Sequence, residues 1–346
     1  MFFFVVLFLT LSLLYVIYDI LGRKLTIKEI DKKAVLITGC GSGFGRGLVK
    51  RCLQNGLTVF AGCEFESDVK DLVESYRSIS QNRLYAFQMN VTDDDSVRKS
   101  REHVDEILHN KNLVLHALIN NAGIQGNLFY DDFLNLDDYK EVWNVNVLGV
   151  IRVTHKFQDL IKQSRGRIVI CSSGSTMFAS PSTGPYASSK QGVQAYAIII
   201  RHELQPYGIY VIEVAPSSFQ TGMLDLGKLL KMMDKVWYRA SQEMRDEFGE
   251  DYNEKAKVFV KEVLPKLMRK DITWVIDAYY EAIVAKRPKL LYRVGWHSLL
   301  SYYPYSLLPV RLQLLIMNLL MLAHKSPLPA TTRKSAVLEN VEYKID

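Results

Sequence analysis

Tyr186 and Lys190 form the sole Tyr-x-x-x-Lys in the sequence, at the start of an apparent helix. Four residues apart, they share one helix face. An ammonium held near a phenol favours the phenolate, which fits the tyrosine for proton transfer near neutral pH. With nineteen tyrosines in the chain, a chance surface pair is the plain alternative. The preceding apolar run weighs against chance. GRIVICSS reads as a strand ending in Cys171-Ser172-Ser173, so it delivers a hydroxyl to the same edge, where a carbonyl oxygen could be held.

A second group of residues suits a nucleotide. Thr38-Gly39-Cys40-Gly41-Ser42-Gly43-Phe44-Gly45 follows the first strand and opens a helix. Glycines there permit a tight turn and close approach of the backbone to a pyrophosphate, which then meets the free N–H groups of the helix N-terminus. Asn120-Asn121-Ala122-Gly123 closes the fourth strand, and Asn90 closes the third. Both therefore line the carboxyl edge, although an Asn-Asn-Ala-Gly turn is also unremarkable as a loop. Asn90 heads an Asn-Val-Thr sequon; a glycan there would block the crevice, so it reads as unused.

These residues need a scaffold that brings strand ends together. AVLITG, TVFAGC, LYAFQMNV, LHALINNAG, GRIVICSS and GIYVIEVAP read as six buried strands alternating with helical stretches. That pattern predicts an α/β fold, a Rossmann-type doubly wound parallel sheet in one catalytic domain spanning 33–295. The almost wholly apolar segment 1–22 is long enough to cross a bilayer as a helix and reads as an N-terminal membrane anchor. A cleaved signal peptide is the rival, but no basic residue precedes the run and no small-x-small site follows it. Residues 23–32 read as a polar linker. Segment 296–325 is again apolar and aromatic but is broken by Pro304 and Pro309 and contains Arg311. An interfacial or re-entrant helix suits it better than a second span; a hydrophobic helix capping the domain or a partner subunit is the third reading. Residues 326–346 form a polar tail.

Composition excludes several classes of function. The net charge of +6 is mild and not gathered into a run, so no nucleic-acid partner is indicated, and a basic chain beside an anionic membrane is the simpler account. Cys40, Cys52, Cys63 and Cys171 lack metal-site spacing and read as free buried thiols in a reducing compartment. The histidines are scattered, so no metal is expected.

The chain resembles the short-chain dehydrogenase/reductase family. The family's Thr-Gly-x-x-x-Gly-x-Gly matches Thr38, Gly39, Gly43 and Gly45, and its Asn-Asn-Ala-Gly matches 120–123. Its Tyr-x-x-x-Lys matches Tyr186 and Lys190, its catalytic serine thirteen residues earlier falls on Ser173, and its helical asparagine falls on Asn146. Two departures stand out: Pro216-Ser217 replaces the usual Pro-Gly, with Thr221 following, and Gly41 replaces an aspartate common in the subgroup that the chain looks most similar to. That subgroup, which the N-terminal anchor, TGCGSGFG and the stretch Trp237-Tyr238-Arg239-Ala240-Ser241 through Glu250 resemble, is the membrane-bound retinol and 17β-/3α-hydroxysteroid dehydrogenases.

The resemblance implies hydride transfer between a nicotinamide and an alcohol or ketone. Tyr186 would be the acid/base, Lys190 its electrostatic partner and ribose ligand, Ser173 the holder of the substrate oxygen, and Asn146 the keeper of a proton-relay water. Thr38, Gly39, Ser42, Gly43, Phe44, Gly45, Asn90, Asn120, Ala122, Gly123, Pro216 and Thr221 would line the coenzyme. Glu64, nineteen residues beyond Gly45, would face the adenosine ribose and favour NAD over NADP, unless it turns outward as a solvated carboxylate. Arg46 is expected to point away.

The run from Phe219 through Met223, Leu224, Leu226, Leu229, Leu230, Met232, Met233 and Val236 to Trp237 reads as an apolar lid for a lipophilic substrate, or as ordinary helix packing. A retinoid or hydroxysteroid leads. Long-chain keto or hydroxy lipids are the enzymatic alternative, and a membrane-tethered binding protein with an idle fold is the non-enzymatic one. The family's habit of pairing through helices leaves a homodimer open. Arg23, Lys24, Lys28, Lys32 and Lys33 follow the anchor, so the positive-inside bias puts the catalytic domain on the cytoplasmic face, with the endoplasmic reticulum implied by resemblance.

Overall fold

In the computed structural model, which describes residues 2–222 and 225–331, the six apolar runs become parallel strands. They are β1 (Lys33–Thr38), β2 (Thr58–Cys63), β3 (Leu84–Gln88), β4 (Val114–Asn120), β5 (Arg167–Cys171) and β6 (Tyr210–Pro216). A seventh strand, β7 (Leu291–Val294), was not anticipated. It has only four residues and includes Arg293, which an edge position tolerates because one side of the strand faces solvent. The order is β3-β2-β1-β4-β5-β6-β7, all parallel, with the reversal of winding falling between β1 and β4. The crevice above that reversal is where a doubly wound sheet binds its ligand.

Period-two alternation feeds two cores. Val35 and Ile37 of β1 face one side with helices α2 (Gly43–Gln54), α3 (Glu66–Ser80) and α11 (Thr273–Val284). Ala34 and Leu36 face the other, with α4 (Asp94–Lys111), α6 (Val150–Ser164) and α7 (Gly184–Leu204). Helix α5 (Leu136–Trp143) runs into α6 through a π-helical turn, Asn144–Gly149. Beyond the sheet, α8 (Leu226–Arg239), α9 (Gln242–Phe248) and α10 (Tyr252–Leu267) form a lid layer. Met223, Leu224 and the tail beyond Thr331 lie outside the described residues.

The apolar N-terminal run is a single helix, α1 (Phe2–Lys24), the one described helix long and apolar enough to cross a membrane. It extends two residues past the expected anchor boundary, and the polar stretch after it is not a loose linker. Ile27 N donates to Val284 O at 2.8 Å and Lys286 N to Leu25 O at 2.6 Å, while Arg287 covers the Tyr18 ring at 4.2 Å. The base of α1 is thereby fastened to the end of α11. That end is held from below as well: Arg167 donates to Ala282 O at 2.8 Å, and His116 Nε2 meets Ile283 O at 3.2 Å. Within 296–325 Pro309 interrupts the helix as expected, whereas Pro304 lies inside a helical stretch that runs through it unbroken. A π turn (Ser298–Tyr302) leads to α12 (Tyr303–Ser306), and Pro309 then caps α13 (Val310–Ala323).

Candidate active site

Strand alternation decides which of the paired serines faces the crevice. Ser172 is buried, and its hydroxyl donates to Glu213 Oε1 at 2.6 Å; Glu213 also accepts from Gln194 on α7 at 2.8 Å. Ser173 therefore turns the other way and stays half-buried. Its Oγ accepts the Ser175 N–H at 3.1 Å, which leaves its own hydrogen free to be donated to a ligand oxygen.

Pro185 in the first turn of α7 fits a helix start, because its missing N–H has no intrahelical partner there anyway. One turn later, the Lys190 side chain lies buried, with Nζ donating to Cys171 O at 3.0 Å and sitting 5.7 Å from the Tyr186 ring centroid. Lys190 thus ties α7 to the last residue of β5, and Ser173 and the half-buried Tyr186 share that edge.

Asn146 sits in the π turn and is fully buried. Its amide donates to Ile124 O at 2.9 Å and Ser189 Oγ at 3.0 Å, and its oxygen accepts from Ile124 N at 2.9 Å. One side chain therefore braces three pieces: the chain just past Gly123, the α5–α6 helix, and α7 beside Lys190. The extra residue of a π turn aims such a side chain inward.

The glycine turn has the shape of a phosphate cradle. Gly39 and Gly43 have φ of +70° and +56°, where other residues are strained. A Cβ on Gly39 would lie 2.8 Å from the Ala122 Cα, and one on Gly45 would strike the Gly39 carbonyl. Bare backbone at these points leaves the α2 N-terminus open to an anionic group. Ser42 occupies the N-cap position of α2. The buried Thr38 hydroxyl accepts from Asn121 N and Ala122 N, both at 3.0 Å, locking the two turns together. These features fit a dinucleotide.

Other anticipated coenzyme residues fall into two sets. Thr221 packs on Gly43, with its Cβ 3.3 Å from where a Gly43 side chain would begin, so the loop after β6 meets the cradle. Pro216 ends β6 as expected. Ser217 takes the place of a glycine there, but its Oγ lies against Gly295, at φ +103°, so the bare residue stands just past the end of β7 instead. The side chains of Asn120 and Phe44 are turned away from the crevice. Asn120 is buried and donates to Thr154 Oγ1 at 2.9 Å, while the Phe44 ring packs edge-on against Phe219 at 6.0 Å. Asn90 folds back, its Oδ1 accepting from Thr92 N and Oγ1. Glu64 is exposed just past β2.

Residues 33–227 match the family model described as short chain dehydrogenase. The chain belongs to that family. A 3β-hydroxysteroid dehydrogenase of Caenorhabditis elegans is 34% identical over 82% of this chain and 74% of its own length. Retinol dehydrogenase 7 of Rattus norvegicus is 32% identical over 82% and 87%. Among solved structures, a short-chain dehydrogenase/reductase of Burkholderia phymatum in complex with NAD superposes with a TM-score of 0.60 at 23% identity, covering 77% of this chain and 90% of that one. One from Burkholderia cenocepacia in complex with NADP gives 0.56 at 19% identity, covering 77% and 89%. The protein is a short-chain dehydrogenase, an oxidoreductase with a nicotinamide-dinucleotide fold.

Sequence reasoning missed two features of this dehydrogenase. Asn121, inside a quoted motif but not singled out, donates to Thr38 O at 2.9 Å and Gly39 O at 3.1 Å and so braces the cradle. Tyr302 lies on Gly174 beside Ser173: a Cβ there would be 2.9 Å from its ring, which stacks on Phe178 at 4.9 Å. The aromatic run containing Tyr302 was legible, but its return to the catalytic edge was not. For the apolar run ending at Trp237, the alternative of ordinary helix packing describes much of what is found. Met233, Val236 and Trp237 are buried against Phe129, Phe133, Phe248 and Tyr252, with the half-buried Leu230 packed on them, and so hold a helix in place.

Proposed function

We propose that this dehydrogenase interconverts a lipophilic alcohol and its ketone or aldehyde, with a retinoid or hydroxysteroid as substrate and NAD(H) as coenzyme. The observation that carries the reading is the convergence of Ser173, Tyr186 and Lys190 on one strand end beside a glycine cradle. The coenzyme, when bound, supplies or accepts the hydride. In oxidation, the Ser173 hydroxyl orients the substrate oxygen and the Tyr186 oxygen takes its proton. The Lys190 ammonium stabilises the charged phenolate by Coulomb attraction in a partly dry site and binds the nicotinamide ribose. Asn146 holds the architecture through which a relayed proton reaches solvent.

The hydroxysteroid and retinol dehydrogenase names of the relatives support the substrate class. Phe178, Tyr302 and Tyr305 offer an aromatic wall near Ser173 suited to a flat or polyene hydrocarbon. The acidic groups near the end of β2 support NAD(H) over NADP(H). We further propose that α1 anchors the chain in the endoplasmic reticulum membrane with the catalytic domain on the cytoplasmic face. Helix α13, with fourteen residues, reaches about 21 Å, short of a ~30 Å hydrocarbon layer, which supports an interfacial position.

The test is the full-length protein in detergent, assayed with retinol, 3- and 17-hydroxysteroids and 3-keto lipids, each with both coenzymes. Turnover of a retinoid or steroid with NAD(H) is expected. Preference for a long-chain keto lipid would replace the substrate assignment, and no turnover of any lipophilic alcohol or ketone would favour an idle binding protein.

A further inference from the structure

Gly41 stands apart in the glycine turn. Gly39 and Gly43 need their positive φ, and Gly45 is hemmed in by backbone, but Gly41 has neither constraint. What a side chain there would meet is the carboxyl group of Asp68: a Cβ on Gly41 would run into Oδ2 and lie 2.8 Å from Cγ, so one of the two must give way. Asp68 sits in the first turn of α3, half-buried, and reaches from the far side of the β2 end into space that a residue-41 side chain would otherwise occupy.

The nearest cation does not cancel this charge. Arg46 lies 3.5 Å from Gly41 O, but its guanidinium is paired with Asp71 and held by Ser75 Oγ at 2.8 Å. Glu64, the other acid close by, is exposed and at the end of a longer side chain. Fixing it against a ribose would cost rotamer entropy, and water and salt would screen it. Asp68, half-buried beside the turn, has a shorter side chain with one fewer rotatable bond to fix.

We propose that Asp68 is the residue that sets coenzyme choice in this chain: its carboxylate accepts from the adenosine ribose hydroxyls and repels a 2′-phosphate at the mouth of the glycine turn. This rests on the NAD(H) reading above. It also accounts for Gly41, since a carboxylate supplied from α3 and a side chain on residue 41 compete for one volume.

The test measures dissociation constants of NADH and NADPH by coenzyme fluorescence on the detergent-solubilised full-length protein. Wild type should bind NADH more tightly. Asp68→Asn, nearly isosteric, should tighten NADPH about tenfold while changing NADH far less, the effect of removing one like charge a few ångströms away. Glu64→Gln should shift the ratio less. Gly41→Asp alone should weaken both coenzymes by crowding Asp68. Gly41→Asp/Asp68→Gly should restore NADH preference, because a carboxylate again fills the volume. A thermal shift with each coenzyme checks that every variant is folded. If wild type prefers NADH and Asp68→Asn leaves the ratio unchanged, the assignment to Asp68 is overturned while the NAD(H) reading stands. If wild type prefers NADPH, the NAD(H) reading itself fails and takes the assignment with it.

Discussion

The two halves of the crevice are held by different interactions. On the coenzyme side, Thr38, Asn121 and Asn146 direct their side chains at backbone N–H and C=O groups of neighbouring turns, at 2.9–3.1 Å. On the substrate side, helices α8–α10 rest on an aromatic cluster with its own centre: Phe133 stacks on Trp237 at 5.3 Å, and Phe248 meets Tyr252 at 5.0 Å. An ion pair between the partly exposed Arg239 and the buried Asp138 joins this cluster to α5. Directional bonds to backbone fix a few positions and tolerate little change. Aromatic packing tolerates exchange of shapes at constant volume. The cradle is thus built for invariance, and the aromatic layer can exchange shapes without disturbing it.

The largest expected effect lies at the junction of the two halves. Tyr186→Phe should lower kcat by roughly 10²–10⁴-fold and spare NADH binding, since only proton transfer is lost. Near-normal turnover would remove the tyrosine from the mechanism. Trp237→Ala should cost the lid about 3–5 kcal/mol by opening a cavity in the aromatic cluster. Hydrogen exchange should speed up in α8–α10, with NADH affinity little changed; a matching loss of NADH affinity would mean that the halves form one cooperative unit. Asn121→Ala is the converse. It strips two backbone carbonyls of their donor, about 1–3 kcal/mol, and should weaken NADH binding while lid exchange stays as in wild type.

Acid should distinguish the lid junction from the opposite, amino-terminal edge of the sheet. Burial, helped by the nearby Arg167, holds His116 neutral in the fold, down to about 3. A neutral, buried histidine contributes stability above its unfolded value of about 6.5, and that contribution is lost as pH falls, at about 1.4 kcal/mol per unit. In the lid junction, burial pushes the Asp138 carboxyl up, but bonds from Arg239, Asn135 and Asn127 outweigh it and hold the group below the usual range. Its contribution persists until pH drops under about 4. Between those limits, hydrogen exchange should show β4 and the end of α11 loosening before the α5–α8 junction does. The reverse order would contradict both assignments. His116→Gln should flatten the slope.

The fold was legible because buried parallel strands must be continuous apolar runs, and six such runs stand out. β7 escaped because an edge strand of four residues needs no such run. The glycine positions were legible because positive φ at Gly39 and Gly43 selects one residue type. The side-chain directions of Asn120 and Asn90 were not, since a strand end fixes which residues reach the edge but not which hydrogen bonds they find there; nor was that of Phe44 in α2, whose ring partner Phe219 is far along the chain. Ser173 could be told from Ser172 only through spacing to Tyr186; in the molecule, the buried acceptor on Glu213 makes the distinction.

By itself, the sequence determined the parallel sheet, the cradle and the pairing of Tyr186 with Lys190, because each follows from periodicity or from local spacing along the chain. Tertiary structure alone decided what lies across from them. Asp68 fills the place of a residue-41 side chain, Gly295 makes room for Ser217, Tyr302 returns over Gly174, and the expected lid buries itself on Phe129 and Phe133. Those partners are tens to more than a hundred residues apart, and only chain packing, not local pattern, brings them within contact.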